Sequence, residues 1–171
     1  MIEGHKRHSH EHRNDLAGEH KWSDSGQGLF LIIFIIGMTL DLFLLKTSNS
    51  WQDYFPFYFR LVVFVPLLVV AIYFSQRAHT IIFEEERKEL MLIDTGVFAK
   101  IRHPMYFGFI LLYLAFVVIS LSIIATAIFV IVVIFYYYLC RYEEQLLTEK
   151  LGNEYKIYMK KVPMLTPRLR K

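Results

Sequence analysis

A lone cysteine, Cys140, has nothing to pair with, which excludes an internal disulfide and any metal cluster built on thiolates. Its place near the end of an apolar run marks it as a packing residue. The 171 residues also hold no glycine-rich phosphate loop, no nucleophile–base triad and no ordered set of metal ligands. The N-terminus lacks the basic-then-apolar order and small-residue cleavage site of a signal peptide, so residues 1–28 are expected to remain as a polar tail. The histidine cluster in that tail, His5, His8, His10 and His12, leaves two readings: a loose metal site, or a solvated, disordered segment. Strong net charge is missing too. The balance is +3, and the basic residues flank apolar runs, so anionic headgroups suit them better than nucleic acid.

What the chain has in plenty is hydrophobic residues, 55% of the total, at a mean hydropathy of +0.37. They come in runs too long for soluble helices. An all-α integral membrane protein is therefore expected, with one membrane domain over 29–171 and spans at about 29–45, 54–74, 104–119 and 121–140. Trp22 and Lys46 bracket the first run, and Trp51, Tyr54 and Tyr58 form an aromatic belt at the start of the second, after a loop over 47–53. Arg60 can snorkel to that end, and Pro66 sits mid-span where it should kink the helix. Asp41 interrupts the first run about one turn from its end. An acid there is either functional or reached by water, and both readings stand.

Between 75 and 102 the chain turns polar, with residues 84–89 offering helical ion pairs three and four apart. Asp94-Thr95-Gly96 reads as a turn. The third and fourth runs, separated only by Ser120 to Ser122, must form an antiparallel hairpin, which returns Arg141, Glu143 and Glu144 to the membrane face of Arg102 and His103. Surface helices are expected over 143–162. Gly152 fits a C-terminal cap and Asn153 the cap of the next helix. There Tyr155, Tyr158, Met159 and Val162 share an apolar face suited to lying on the membrane and covering the site. Pro163 and Pro167 end this helix before a basic tail.

Four spans put both termini and the connector on one side. Of the 19 lysines and arginines, four lie in the N-terminal tail, five in the connector and eight after the fourth run, 17 in all. Only Lys46 and Arg60 lie near the opposite face. The positive-inside rule makes the crowded side cytoplasmic.

On that side lies the stretch Ala99-Lys100-Ile101-Arg102-His103-Pro104-Met105-Tyr106-Phe107-Gly108. Pro104 suits the first turn of a helix and biases His103 out of the α region, so a helix opens here. Its first-turn amides and dipole, beside Arg102 and His103, make an anion site. The plainer alternative is an Arg102 that anchors the helix at the headgroups and a solvated His103.

The ordered set Gly96-x-Phe98-x4-His103-Pro104-x-Tyr106-x-Gly108, then Glu143-Glu144, then Leu151-Gly152-x-x-Tyr155-x-x-Tyr158 before Pro163 and Pro167, resembles the isoprenylcysteine carboxyl methyltransferases and their phospholipid methyltransferase relatives. The resemblance covers the chain from about Leu90 onward. It implies S-adenosylmethionine bound at the cytosolic face and a lipid-like or prenylated substrate entering from the bilayer. By the same resemblance the cofactor contacts fall on Leu90, Met91, Leu92, Ile93, Phe98, His103, Pro104, Met105, Tyr106, Glu143 and Glu144, with the cytosolic connector and C-terminal amphipathic helices forming the pocket. Two positions depart from the pattern. Phe98 stands where many relatives have tyrosine, and Leu139 stands where those acting on prenyl-cysteine carry the arginine for the substrate carboxylate. Arg141 is two residues on, about 200° around a helix.

The acceptor decides the catalytic demands. A carboxylate needs a cation to orient it, Arg141 or Arg102; an amine needs a base, for which Glu144, His103 and Asp41 are the candidates. Two other functions compete: an NADPH-dependent membrane lipid or sterol reductase, for which no additional basic cluster near Glu143 offers a 2′-phosphate site, and a non-catalytic lipid-binding protein.

Overall fold

A computed structural model describes residues 23–84 and 91–166, and all regular structure among them is helical. The His-rich tail, Trp22, residues 85–90 and residues 167–171 lie outside the described residues, and with them most of the connector's expected ion pairs, the Leu90 end of the backbone strip and the basic tail. In order the chain forms α1 (Ser23–Thr39) with a π-helical continuation Leu40–Leu45, α2 (Asn49–Tyr54), α3 (Phe57–His79) with a π-helical extension Thr80–Glu84, α4 (Pro104–Ser120), α5 (Ile123–Leu151) and α6 (Asn153–Lys161). The stretches Ser25–Leu45, Phe57–Ile82 and Ile123–Leu151 are long and apolar enough to cross a bilayer, and α4 is a shorter apolar helix. The protein is an all-α membrane protein.

Three boundaries differ from the sequence expectation. The segment 47–53, expected as a loop, contains α2. The second span does not end at residue 74, because Ser75 to His79 contain no glycine or proline and the helix leaves the apolar layer without breaking. The fourth span and the surface helix after it are one rod. From Arg141 to Leu151 every residue tolerates a helix, and the break comes only at Gly152, whose φ of +60° an L side chain rarely adopts. Gly152 also occupies the cap position of α6, so Asn153 is the first helical residue and its side chain caps nothing.

Helix α4 packs along α3 and against α5, while α1 packs on α5. The α3–α4 approach depends on small residues. Ala71, Ser75 and Ala78 recur at helical spacing on α3, and Gly108 of α4 lies over the first two: a Cβ on Gly108 would stand 2.2 Å from Ser75 Oγ and 2.8 Å from the Ala71 carbonyl oxygen. Tyr113 meets Phe34 of α1 edge-on at 4.8 Å, and both join a core with Tyr106, Val132, Tyr136 and Cys140.

The far end of the bundle is closed by Asp41. It is fully buried, and its carboxylate accepts from the Thr47 hydroxyl, from Ser48 Oγ at 2.6 Å, from Ser122 Oγ at 2.5 Å and from the Ile124 amide at 3.4 Å. Ser122 in turn caps α5 by accepting from the Ala125 amide. Nearby, Arg60 Nη1 donates to the Ile119 carbonyl at 2.8 Å, so the arginine at the start of α3 ties it to the C-terminal end of α4, where a cation suits the helix dipole. Asp41 is thus a structural clasp, and the reading in which water reaches it does not hold.

Two substitutions test this packing. Gly108→Ala should cost about 1–3 kcal/mol, since its methyl group meets backbone on α3. Asp41→Ala strands several buried donors and should cost about 2–4 kcal/mol. Denaturant unfolding of the purified protein in micelles measures both; wild-type midpoints would refute these assignments.

Candidate functional site

The site lies where α4 begins and α5 leaves the apolar layer. Gly96, at φ +59°, turns the chain after the irregular segment 91–94, and the Phe98 amide closes a turn on the Thr95 carbonyl. His103 is the N-cap of α4 and Pro104 its first residue, so the helix opens where the sequence places it. The backbone amides of Arg102 and His103 donate to the carbonyls of Pro163 at 2.9 Å and Met164 at 3.2 Å. The C-terminal segment therefore straps across the N-terminus of α4, with Met164 and Leu165 packed on the core. The two amides immediately before the helix serve this strap rather than an anion.

Across from α4, residues Tyr136, Cys140, Glu143 and Glu144 recur on the buried face of α5. Both glutamates are buried. Tyr106 donates its hydroxyl to Glu143 Oε1. His103 Nδ1 lies 3.4 Å from Glu143 Oε2, and Nε2 lies 3.4 Å from Glu144 Oε1. Carboxylate oxygens thus face both ring nitrogens, an arrangement that suits the doubly protonated imidazolium. Burial works against the charge on His103, but the Cys140 sulfur and the two glutamates outweigh it and hold its pKa well above the usual 6.5. A ring that holds its proton this tightly is disfavoured as a general base. The Tyr106 ring stacks on that of His103, with centroids 5.9 Å apart.

Arg102 Nη1 lies 2.8 Å from Glu144 Oε1 but off the axis of a hydrogen bond. Among the described residues Arg102 Nε is a buried donor without an acceptor, Nη1 has only this charge contact, and Glu144 Oε2 is a buried acceptor without a donor. The free guanidinium donor suits a carboxylate, and the free glutamate oxygen suits an N–H donor or a cation. The amino-acid end of S-adenosylmethionine carries such a carboxylate, so the residues present fit the cofactor.

The remaining candidates are spread around this cluster. Leu92 packs with Tyr155, Tyr158 and Val162; Ile93 packs with Ala78, Val97 and Phe98; Met91 is exposed. Phe98 is buried against α3, and Tyr158 Oη donates to its carbonyl at 2.6 Å. The apolar face of α6 is therefore spent on the protein, not on the membrane. Burial raises the phenol pKa values of Tyr155 and Tyr158, which keeps them neutral donors. Leu139 packs on the core. Arg141 does not join the charged cluster; it is exposed in a cleft of about 280 Å³ lined also by Glu144, Gln145, Thr148, Glu149 and Met159. Asp41 contacts Ser122 at the other end of α5, about 30 Å from Glu143 at 1.5 Å per residue, and so cannot act in this site.

Sequence reasoning missed the place of Cys140 in the site, the strap carbonyls of Pro163 and Met164, and Gln145, Thr148 and Glu149 of the cleft. Cys140 had a signal: carried through residue 140 as one helix, α5 puts Cys140 three and four residues before the glutamates.

A family model for phospholipid methyltransferases matches residues 59–154, more than half of the chain. The match starts within α3, well before Leu90, and ends in the first residues of α6. No curated protein matches the chain.

A raised pKa means that folded His103 holds its proton more tightly than the unfolded chain does. Its stabilisation is complete below about 6.5 and is lost as pH rises through the raised value. Denaturant unfolding of wild type and His103→Asn should therefore show a stability gap that narrows as pH rises above that range; a gap independent of pH would mean a neutral ring.

Proposed function

The chain belongs to the phospholipid methyltransferase family, and on that premise we propose that it transfers a methyl group from S-adenosylmethionine to a lipid amine at the cytoplasmic face of a four-span membrane domain. The buried cluster of Arg102, His103, Glu143 and Glu144, in which Arg102 Nε and Glu144 Oε2 have no partner among the described residues, supports this reading. When bound, the cofactor supplies an electrophilic methyl group on a sulfonium sulfur.

The chain's own residues hold, orient and desolvate. Arg102 binds the cofactor carboxylate. Glu143, fixed by Tyr106 and His103, accepts from the cofactor's ammonium or hydroxyl groups. Leu92, Ile93, Pro104, Met105 and Phe98 form the adjoining wall. Tyr158 fixes the turn at Phe98, and Met164 and Leu165 exclude water from the cluster. Glu144 Oε2 takes the proton that an ammonium acceptor must lose before its nitrogen can attack. An amine suits the site better than a carboxylate, because the position of the prenyl-cysteine arginine is filled by Leu139 inside the core. The distribution of 17 of 19 basic residues favours the cytoplasmic orientation.

Calorimetry with S-adenosylhomocysteine tests the cofactor site. Hydrogen bonds to charged groups contribute about 1.5–3 kcal/mol, so Arg102→Gln and Glu143→Gln should each weaken binding by about tenfold to a hundredfold. Unaltered affinity in folded variants would overturn the assignment. Membranes incubated with methyl-labelled S-adenosylmethionine should yield a base-stable lipid label; a base-labile label would indicate an ester and a carboxylate acceptor.

A further inference from the structure

The charged cluster accounts for one oxygen of Glu144. The other, Oε2, is buried and unpartnered, and Glu144 also lines the cleft between α5 and α6. The cleft lies at a defined depth. Twenty residues of helix fill a hydrocarbon layer of about 30 Å, so α5, entering at Ile123, leaves it near Tyr142. Exposed Tyr137, Tyr138 and Tyr142 mark that interface. Arg141, Gln145 and Glu149, all exposed, then stand at headgroup level.

These three residues continue a stripe. Ile131, Ile134 and Tyr138 are exposed on the same side of α5, and steps of three or four residues carry that side from Ile131 through Arg141 to Glu149, about five turns. The stripe is apolar inside the bilayer and changes to charged and amide side chains where the cleft opens. Opposite it on α5 lie the buried Tyr136, Cys140 and Glu143, and Glu144 stands between the two faces, about 60° around the helix from Arg141.

Resting on the methyltransferase reading above, we infer that this stripe is the acceptor track: one lipid lies with its hydrocarbon chain along Ile131, Ile134 and Tyr138 and its dipolar headgroup in the cleft. Arg141 takes the anionic phosphate, and Glu144 Oε2 takes the amine. Glu149, one turn beyond Gln145, sets specificity, since its carboxylate repels a headgroup that carries a further anionic group. Charge selects here because the walls are protein on one side and hydrocarbon below, where an unmatched charge is costly.

The test uses the full chain in nanodiscs of choline lipid, with two acceptors that share the same acyl chains. One headgroup carries a phosphate and a primary amine; the other adds a carboxylate beside the amine. Wild type should favour the first by at least about tenfold in kcat/KM, a gap equivalent to about 1.4 kcal/mol. Glu149→Lys should reduce or reverse that ratio while leaving affinity for S-adenosylhomocysteine unchanged, which also confirms folding. Arg141→Gln should raise the lipid KM about tenfold, and Ile134→Trp should weaken binding of the first lipid in native mass spectrometry. A wild type that labels neither lipid overturns the methyltransferase reading and this track with it. A labelled lipid with the same preference in wild type and Glu149→Lys, and the same KM in Arg141→Gln, overturns the track alone.

Discussion

Two positive and two negative side chains cannot be buried together unless they neutralise one another, and the pairing of Arg102 and His103 with Glu143 and Glu144 sets much of the surrounding geometry. The cations arrive just before α4 and the anions just after the apolar part of α5. Pairing them forces the start of one helix against the exit of the other, which the two-residue turn between α4 and α5 permits only if the hairpin is antiparallel. It also requires α5 to remain helical beyond the apolar layer, because Glu143 and Glu144 share a face with Cys140 and Tyr136 only while the helix continues. The turn at Gly96 and the strap over residues 163–165 then enclose the cluster from the side that faces water.

The bundle has polar clusters at both ends of α5, and their difference lies in satisfaction rather than composition. Asp41 accepts from three hydroxyls and an amide, so its buried charge is spread over donors the fold supplies. Nothing there asks for a ligand. At the other end, Arg102 Nε and Glu144 Oε2 are buried without partners among the described residues. Leaving such groups buried costs stability, about 1–3 kcal/mol for each, more where charged. A fold that tolerates this cost at one end and removes it at the other distinguishes a binding site from a clasp. The distinction also separates the two acids that the sequence alone left as rival bases: Asp41 is satisfied by the fold, while Glu144 keeps an oxygen without a partner among the described residues.

Much of this was legible before any coordinates. Hydropathy located the apolar runs, Pro104 marked the opening of α4, and the short interval at Ser120 to Ser122 implied the hairpin that joins two distant charged motifs. What hydropathy could not show is where a helix stops once it leaves the bilayer, since lipid-facing composition ends at the interface while backbone hydrogen bonding does not. Hence the apolar runs end at residues 74 and 140, while the helices that carry them continue to His79 and Leu151 and α5 takes the glutamates with it. Asp41 was ambiguous because its donors come from Thr47, Ser48 and Ser122, and the last is far away in sequence. The apolar face of α6 was visible, but its partner was not: periodicity reports that a face is apolar, not whether lipid or protein covers it, and here Leu92, Leu147 and Leu151 do.

The geometry of Glu144 joins these threads. One of its oxygens is shared by His103 and Arg102, which keeps the side chain in a single orientation inside the protein. The second oxygen is buried and without a partner among the described residues, on a side chain that also lines the cleft. In the proposed reaction that oxygen is the base, and the tether through the other oxygen supplies its placement. His103 contributes through its two ring nitrogens, each 3.4 Å from a different glutamate, an arrangement in which a neutral ring would lose one of its two donors and loosen the carboxylates it separates. In the proposed function the histidine-proline pair that opens α4 therefore acts one step removed from the chemistry: it holds the acids at the spacing that would let one face the cofactor and the other the lipid.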